Sequence, residues 1–266
     1  MDPRNRCTVF FPIAGFRSMA AILATSSVLL SGCVSTKYKM ARKSTPPPVP
    51  LNLVAAQPPV EVVLNTVIVY QGPGSWKRAA YWDEYVVTLR NQGGQPLTIA
   101  SAALADFAGV WRAPGDNPWA LEKESKTLEQ KYRDAGVAFV RNAAPAALFG
   151  TVGVALAMDG VLSTGAATAA TGTFLALPVY YLAVWYINST NKTAIVAEFN
   201  RRRLALPLIL APGETRTGSL FFPMVPNPRS LSLHWSSGAA AGDASLSLEP
   251  LHGLHVKAPA PVTAGN

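Results

Sequence analysis

Two periods of apolar and polar residues follow one another along the chain. Apolar residues alternate with polar ones in residues 61–115 and again in 204–256, where Gly, Pro and Asn separate short β-branched runs. In residues 116–203 the apolar positions recur at helical spacing instead. These periods predict an α+β protein in which one antiparallel β-domain is split by a helical insert.

Seven strands are predicted from the alternation. They lie at residues 61–70, 81–91, 96–104, 204–210, 215–222, 229–235 and 244–254. The second run is typical, since it places Tyr85, Val87 and Leu89 on one face. Pro207 has no N–H to donate, so the fourth run is predicted to be an edge strand or a bulge. Seven short strands at this spacing favour an immunoglobulin-like or transthyretin-like sandwich.

The insert is predicted to begin with an amphipathic helix. The sequence Asp116-Asn117-Pro118 combines a capping residue with proline at the first helical position. An apolar stripe follows, made of Leu121, Leu128, Tyr132, Ala135 and Phe139. This stripe is expected to pack on the β-domain or on neighbouring helices. The i,i+4 pairs Glu122/Lys126 and Glu129/Arg133 are expected on the outer face.

The most apolar part of the insert is residues 143–187, in which Asp159 is the only charged residue. A spanning helix needs about 20 apolar residues, so the segment accommodates two helices with Asp159 and Gly160 at the tip of the hairpin. Small residues recur every four positions in both arms, and Tyr and Trp gather near the end of the second arm. The pattern favours a hairpin that dips into a membrane. Burial inside a helical subdomain is the open alternative.

The amino terminus has the pattern of an export signal. A basic leader precedes an apolar run, Met19–Leu30, that is too short to span a bilayer. The run ends in Leu30, Ser31, Gly32 and Cys33, and with this motif the chain resembles bacterial lipoprotein precursors. The resemblance implies that a signal peptidase reads Leu30 to Gly32, removes residues 1–32 and leaves an acylated Cys33. It also implies a lipid-anchored protein of the cell envelope, and Val34 and Ser35 resemble residues that direct such proteins to the outer membrane, facing the periplasm.

Residues 33–60 are predicted to be a tether, because their prolines favour extended conformations. Its basic residues, Lys37, Lys39, Arg42 and Lys43, are expected either to contact anionic lipid headgroups or to solubilise the linker. Arg201, Arg202 and Arg203 close the insert, where they complement a helix dipole or contact headgroups. Residues 257–266 are predicted to be disordered.

Composition and charge sharpen this picture. The whole chain is 49% apolar and 14% charged, with a formal charge of +8. Loss of residues 1–32 would leave 20 basic and 14 acidic residues, a charge of +6 that concentrates near the tether and at residues 201–203. Export makes nucleic acid an unsuitable partner for this basic balance. The implied partners are membrane lipid, through Cys33 and the hairpin, and an envelope protein.

The sequence offers little that is typical of catalysis. The mature histidines are His234, His252 and His255, and they are expected to be exposed at strand ends without enough nearby ligands for a metal. We recognise no nucleophile motif and predict no cofactor. The predicted function is a non-enzymatic interaction or assembly module of the envelope. The alternative is a small-ligand binder or enzyme with a site between sandwich and insert, using His234 or the carboxylates near Trp82.

Overall fold

The computed structural model describes residues 38–40, 46–148 and 177–257. Contacts divide the chain into two compact units. One unit comprises residues 1–36 and 168–189, and of these only the helical residues 177–189 are described. The other comprises residues 37–167 and 190–266 and holds all the strands named below. The predicted signal peptide, Cys33, the hairpin tip at Asp159 and Gly160, and nearly all of the predicted tail lie outside the described residues.

The described residues contain eleven strands and two α-helices. The strands are β1 (Lys39–Met40), β2 (Leu53–Gln57), β3 (Val60–Ile68), β4 (Lys77–Arg78), β5 (Asp83–Asn91), β6 (Leu97–Ala105), β7 (Trp111–Arg112), β8 (Leu208–Leu210), β9 (Thr215–Phe222), β10 (Ser230–Ser237) and β11 (Ala240–Ser247). The helices are α1 (Pro118–Asp134) and α2 (Leu177–Arg202). Short 3-10 turns form at Ala146–Leu148 and Glu249–Leu251.

Three antiparallel sheets organise these strands. The first has the order β2-β3-β5-β9, and the second has β11-β10-β6 with β7 and β8 both paired to the remaining edge of β6. A two-stranded sheet joins β1 to β4. A two-residue turn containing Gly238 links β10 to β11, and glycine suits the positive φ of 57° there. The predicted α+β class with antiparallel sheets is confirmed.

The two larger sheets share one apolar core, which we call the sheet core. Val87 and Leu89 reach it from β5, and Leu231 and Leu233 reach it from β10, all fully buried. Burying each of these side chains contributes about 1.5–3 kcal/mol. The alternation of apolar residues along β5 and β10 therefore has its predicted physical cause, since side chains of one strand face are removed from water together.

Each of the seven predicted strands overlaps an observed strand, with shifted ends. The run predicted at 204–210 pairs only as Leu208–Leu210, because Pro207 cannot donate to a ladder. The last predicted strand ends at Ser247, where the chain enters the 3-10 turn at Glu249–Leu251. Four observed strands were not predicted: β1, β2, β4 and β7.

Strand β2 corrects the predicted tether. Leu53–Gln57 contains no proline and pairs in register with β3 from Leu53↔Leu64 to Gln57↔Val60. The prolines at 58 and 59 follow the strand rather than interrupt it. Backbone pairing thus adds residues 53–57 to the four-stranded sheet as its edge, so the tether does not extend to residue 60.

Helix α1 begins where predicted. Asn117, not Asp116, is the capping residue, and its Oδ1 accepts from the backbone N–H of Trp119 at 2.9 Å and of Ala120 at 3.2 Å. Leu121, Leu128 and Tyr132 are buried as predicted. The helix ends at Asp134, so Ala135 is its exposed C-cap and Phe139 reaches the core from beyond it, through a bridge to Val256.

The predicted ion pairs of α1 form, but not on an outer face. The Glu122 and Glu129 side chains are buried, at 5% and 11% exposure, while their partners Lys126 and Arg133 reach in from the surface. Glu129 also accepts from Arg141 at 2.7 Å. Glu122 likewise accepts from the Tyr38 hydroxyl at 2.9 Å. Each buried carboxylate thus has a partner outside the helix, which a helical wheel does not show.

The first arm of the predicted hairpin does not begin at Ala143. The Ala143 carbonyl accepts from the backbone N–H of His255 at 2.7 Å, and Leu148 is buried in the sheet core. Residues 143–148 therefore belong to the folded body, and residues 149–176 lie outside the described residues. Within the described ranges, neither helix combines the length and the apolar character that crossing a bilayer requires.

Candidate functional site

Helices α1 and α2 supply a second apolar cluster on the other face of the four-stranded sheet. Leu220 and Phe222 of β9 face the sheet core, so Phe221 between them points to the opposite side. There its ring stacks on Phe199 of α2, with 4.0 Å between centroids. We call this group the helix-side cluster; it consists of Trp76, Ala80, Trp82, Leu121, Ile195, Phe199 and Phe221.

A carboxylate is buried inside the helix-side cluster. Glu84 is 0% exposed and accepts hydrogen bonds from Trp76 Nε1 at 2.5 Å and Ser219 Oγ at 2.6 Å. Its Oε1 also lies 3.3 Å from Arg202 Nη1. The guanidinium of Arg202 sits over the Trp76 ring at 5.3 Å. Glu84 is thus held by three donors, which is how a buried charge is made tolerable in a low-dielectric interior.

Lys77 is a buried cation beside this carboxylate. Its Nζ donates to the Trp82 carbonyl at 2.8 Å and lies 4.7 Å from the Trp82 ring centroid. Burial lowers the pKa of Lys77 to about 8, although the negative charges of Asp83, Glu84 and Glu122 oppose that shift. Lys77 therefore lies in the field of three acids, which favours its charged form and offsets part of the cost of burial.

Asp83 and His255 form a second buried pair. His255 Nε2 lies 2.8 Å from Asp83 Oδ2, and both side chains are 0% exposed. The His255 ring also stacks near Phe139, with 5.7 Å between centroids. Burial and the nearby charge of Asp83 raise the pKa of Tyr85 well above its ordinary value. The pair fixes the C-terminal segment to the start of β5.

The prediction that His255 is exposed at a strand end was wrong. The short LHGLHV run contains Leu251 and Leu254, which are fully buried, and His255 follows them into the interior. The apolar neighbours are the one signal in the sequence that hints at burial. The partner Asp83 lies 172 positions away, so sequence spacing carries no information about it.

Aromatic and basic side chains meet at the surface near α1. Tyr38 and Trp119 are in edge contact at 5.1 Å, and Lys192 Nζ lies 5.0 Å from the Tyr38 ring and 5.2 Å from the Trp119 ring. Tyr38 also donates its hydroxyl proton to Glu122 Oε1 at 2.9 Å. Partial burial and this hydrogen bond raise the pKa of Tyr38 to about 12. Tyr38 is therefore anchored by both its ring and its hydroxyl group.

A small cleft lies beside β9. Its volume is about 230 Å³, and its walls come from residues 114–116, 203, 204, 206 and 219–221. Asp116 and Arg203 supply its charged groups. Ligand pockets for small molecules are commonly about 300–1,000 Å³, so this cleft is smaller than the usual range.

The basic residues predicted to contact headgroups have different environments. Lys37, Arg42 and Lys43 lie outside the described residues, and Lys39 is exposed on β1. Arg201 is exposed and Arg202 is partly buried, and both donate to Glu198, which lowers the pKa of Glu198 to about 2. Arg202 also contacts the buried Glu84, and Arg203 lines the cleft beside β9.

The remaining histidines are at the surface. His234 faces Asp243 across β10 and β11 at 3.1 Å, and both are exposed. His252 is exposed in the C-terminal turn. In the ranges that the structure describes, no three His, Cys, Asp or Glu side chains gather in a way that could hold a metal ion.

Comparison with known protein families, with curated proteins and with solved structures gave no match. The carboxylates next to Trp82 have separate partners, His255 for Asp83 and the Trp76, Ser219 and Arg202 donors for Glu84. His234, the second candidate group, lies on the other large sheet.

Proposed function

We propose that the protein is a membrane-anchored envelope lipoprotein that acts as a non-enzymatic interaction or assembly module. Cys33 would hold it to the membrane, and its body would be a β-sandwich of the immunoglobulin-like or transthyretin-like kind. The observation that carries the proposal is the state of the buried charges. Asp83, Glu84 and Lys77 are all fully buried and bonded within the fold.

The buried charges support a structural role because a substrate must touch a catalytic group. Glu84 is enclosed by Trp76, Ser219 and Arg202, and His255 is enclosed with Asp83. These bonds join the β-domain to α2 and to the C-terminal segment. Glu84 is accordingly interpreted as a group that fixes the insert to the sheet, and Asp83 as one that fixes the C-terminal segment.

The sandwich proposal is supported by the sheet core. Alternate residues of β3, β5 and β9 in one sheet and of β6, β10 and β11 in the other contribute to the same apolar cluster. Two antiparallel sheets packed face to face bury their inner faces in this way. The outer face of the second sheet, where His234 and Asp243 are exposed, is then free to contact partners. The outer face of the four-stranded sheet is covered by the helix-side cluster.

The segment 143–187 is proposed to add a second hold on the membrane. The supporting pattern is its single charge and its rows of small residues. The described portion, Ala143 to Leu148, is folded against the core, so insertion would begin after Leu148.

Lipid attachment is tested by blocking the lipoprotein signal peptidase with globomycin and by labelling cells with palmitate. We expect an unprocessed precursor with the inhibitor and palmitate on the Cys33 protein without it. Cys33→Ala is expected to lose the label, and Cys7→Ala is the matched control, since Cys7 lies in the removed signal. Normal processing in the presence of globomycin would overturn the lipoprotein proposal.

Fractionation of the same variants tests the hairpin. Cys33→Ala is expected to remain partly with membranes if the hairpin inserts, and full solubility would contradict insertion. Affinity capture of detergent-extracted wild-type protein then tests the interaction role. A partner recovered in fixed proportion supports it; a purified protein that turns over an envelope substrate would contradict it.

The cleft beside β9 supports a second candidate function, a binder of small acidic ligands through Arg203. Its small volume makes this the weaker proposal. Inorganic phosphate or a dicarboxylate is expected to raise the melting temperature of wild type and not of Arg203→Ala. Arg201→Ala is the control, because Arg201 is exposed and does not line the cleft.

A further inference from the structure

The chain just after the predicted acylation site is built into the folded body. Tyr38 is held by Trp119, Lys192 and Glu122, and the two residues that follow it pair as β1 with β4. In this register Lys39 lies opposite Arg78 and Met40 opposite Lys77. The segment is thus fixed by an aromatic contact, a hydrogen bond and a backbone ladder.

This docking shortens the tether. Five residue steps separate Cys33 from Tyr38, and a fully extended chain spans at most about 3.6 Å per residue, so the two Cα atoms are at most about 18 Å apart. A free tether from Cys33 to residue 60 would instead reach roughly 95 Å at the same extension. The acyl chains can therefore lie only close to the surface around Tyr38.

We infer that this surface faces the membrane and binds acidic phospholipid headgroups. We call it the membrane-facing surface and define it by Tyr38, Lys39, Arg78, Trp119 and Lys192. The inference rests on the proposed acylation of Cys33. It adds an orientation: one defined side of the body is held against the bilayer.

The chemistry of the surface suits an anionic bilayer. Lys39, Arg78 and Lys192 are exposed cations, and Tyr38 and Trp119 are half-buried aromatic rings of the kind that favour the headgroup region. Lys37, Arg42 and Lys43 flank Tyr38 in the sequence and add positive charge. Basic residues held beside an anchor gain about fivefold in binding per charge at an anionic surface.

The inference is tested with the lipidated full-length mature protein in vesicles of phosphatidylethanolamine and phosphatidylglycerol that carry a doxyl-labelled quencher lipid. A fluorophore is attached to Arg78→Cys or, as a matched control, to Ser245→Cys. Ser245 is exposed on β11 between Ala244 and Leu246, which face the sheet core, so it points away from the helix side. We expect severalfold stronger quenching at position 78 than at position 245.

A second variant tests the short connection. A flexible Gly-Ser insertion of about ten residues between Thr36 and Lys37 adds roughly 17 Å of mean reach without touching the folded body. Quenching at position 78 is expected to fall toward the value at 245, while palmitate incorporation and near-UV circular dichroism stay unchanged. Tyr38→Ala is expected to give the same loss by releasing the docked segment.

The outcomes separate the two proposals. Equal quenching at positions 78 and 245 in a palmitate-labelled protein overturns the membrane-facing surface and leaves the lipoprotein proposal intact. A protein without acyl chains overturns the proposed function itself. Quenching at 78 that is unchanged when phosphatidylcholine replaces phosphatidylglycerol overturns the assignment to acidic headgroups. No protein partner is present in these vesicles, so strong quenching at 78 reports lipid contact alone.

Discussion

The two faces of the four-stranded sheet are built from different chemistry. On the face toward the second sheet, β5 places Tyr85, Val87 and Leu89 in an apolar environment. On the helix side the same strand places Glu84 among tryptophans, with Arg202 and Ser219 as partners. The first face is stabilised by burial of surface, and the second also depends on hydrogen bonds that must all be made.

The difference shows which kinds of interaction a local pattern can predict. Apolar burial is non-directional, so a period of two is enough to assign residues to the sheet core. A buried carboxylate needs donors at defined positions, and those of Glu84 come from residues 8, 118 and 135 positions away. The helix side therefore needs particular donors at defined positions. A single substitution there should destabilise the fold more than one in the sheet core.

The largest effect is expected on the helix side. Glu84→Ala should lower the free energy of unfolding by about 3–5 kcal/mol, because it leaves the Trp76 N–H and the Ser219 hydroxyl without their acceptor in a buried site and removes one partner of Arg202. Arg90→Ala is the matched control on the same strand face, where the side chain is 57% exposed, and should change stability by about 0.5 kcal/mol or less. Urea unfolding measures both. Equal small effects would contradict the assignment of Glu84 to a buried network.

The sheet core should respond less sharply to a single truncation. Leu89→Ala is expected to destabilise by about 3 kcal/mol, the usual cost of a buried cavity of this size. Val54→Ala on edge strand β2 is the control, since Val54 is 58% exposed. Equilibrium urea unfolding gives both values. A loss larger than that of Glu84→Ala would reverse the proposed ranking of the two faces.

The buried cation gives the helix side a stability that rises with pH, whereas the raised pKa of Tyr85 in the sheet core acts in the opposite direction. The unfolded chain keeps the Lys77 proton up to a pKa near 10.5, and the folded chain releases it near pKa 8. Between these values the unfolded state binds more protons, so stability rises with pH by up to about 1.4 kcal/mol per unit. This contribution is complete above pH 10.5 and is lost as the pH falls to about 8.

Urea unfolding across that range checks this expectation in wild type and Lys77→Met. The rise in stability with pH should be absent in Lys77→Met, because methionine has no titratable group at position 77. Lys192→Met, an exposed lysine, should keep the wild-type slope. If the slope of stability against pH were unchanged in Lys77→Met, the pH dependence would come from other groups.

The smallest effect is expected at α1, which contributes Leu121 to the helix-side cluster. Asn117→Ala removes the cap of α1 and should cost about 1 kcal/mol. Asp116→Ala is the control, because Asp116 is the neighbouring candidate that does not cap the helix. Thermal unfolding measures the shift. A greater loss from Asp116→Ala than from Asn117→Ala would contradict the capping geometry.

Much of the fold was predictable because its strands have one apolar face. Residues 215–222 were predicted with the observed bounds, and β5 and β6 to within two residues at each end. Strand β2 was missed because its neighbours Pro58 and Pro59 suggested a linker, while its stability comes from pairing with β3. The short strands β1, β4 and β7 have two residues each, which is too few for a period.

Less of the candidate site was predictable. Asp83 and Glu84 were noted near Trp82, but their burial and partners were not. His255 was assigned to the surface, and the inward position of Glu122 and Glu129 was missed. In each case the deciding contact joins residues far apart in the chain, as Tyr38 and Glu122 do across 84 positions.

The sequence by itself determined the α+β class, most strand positions, the start of α1 and the lipoprotein-like motif at Cys33. These features depend on local chemistry: alternation, capping and a short contiguous motif. The tertiary structure decided which charges are buried, which face of α1 is polar and where the segment after Cys33 docks. Those outcomes depend on directional bonds between distant residues, and the folded backbone alone brings such partners within reach.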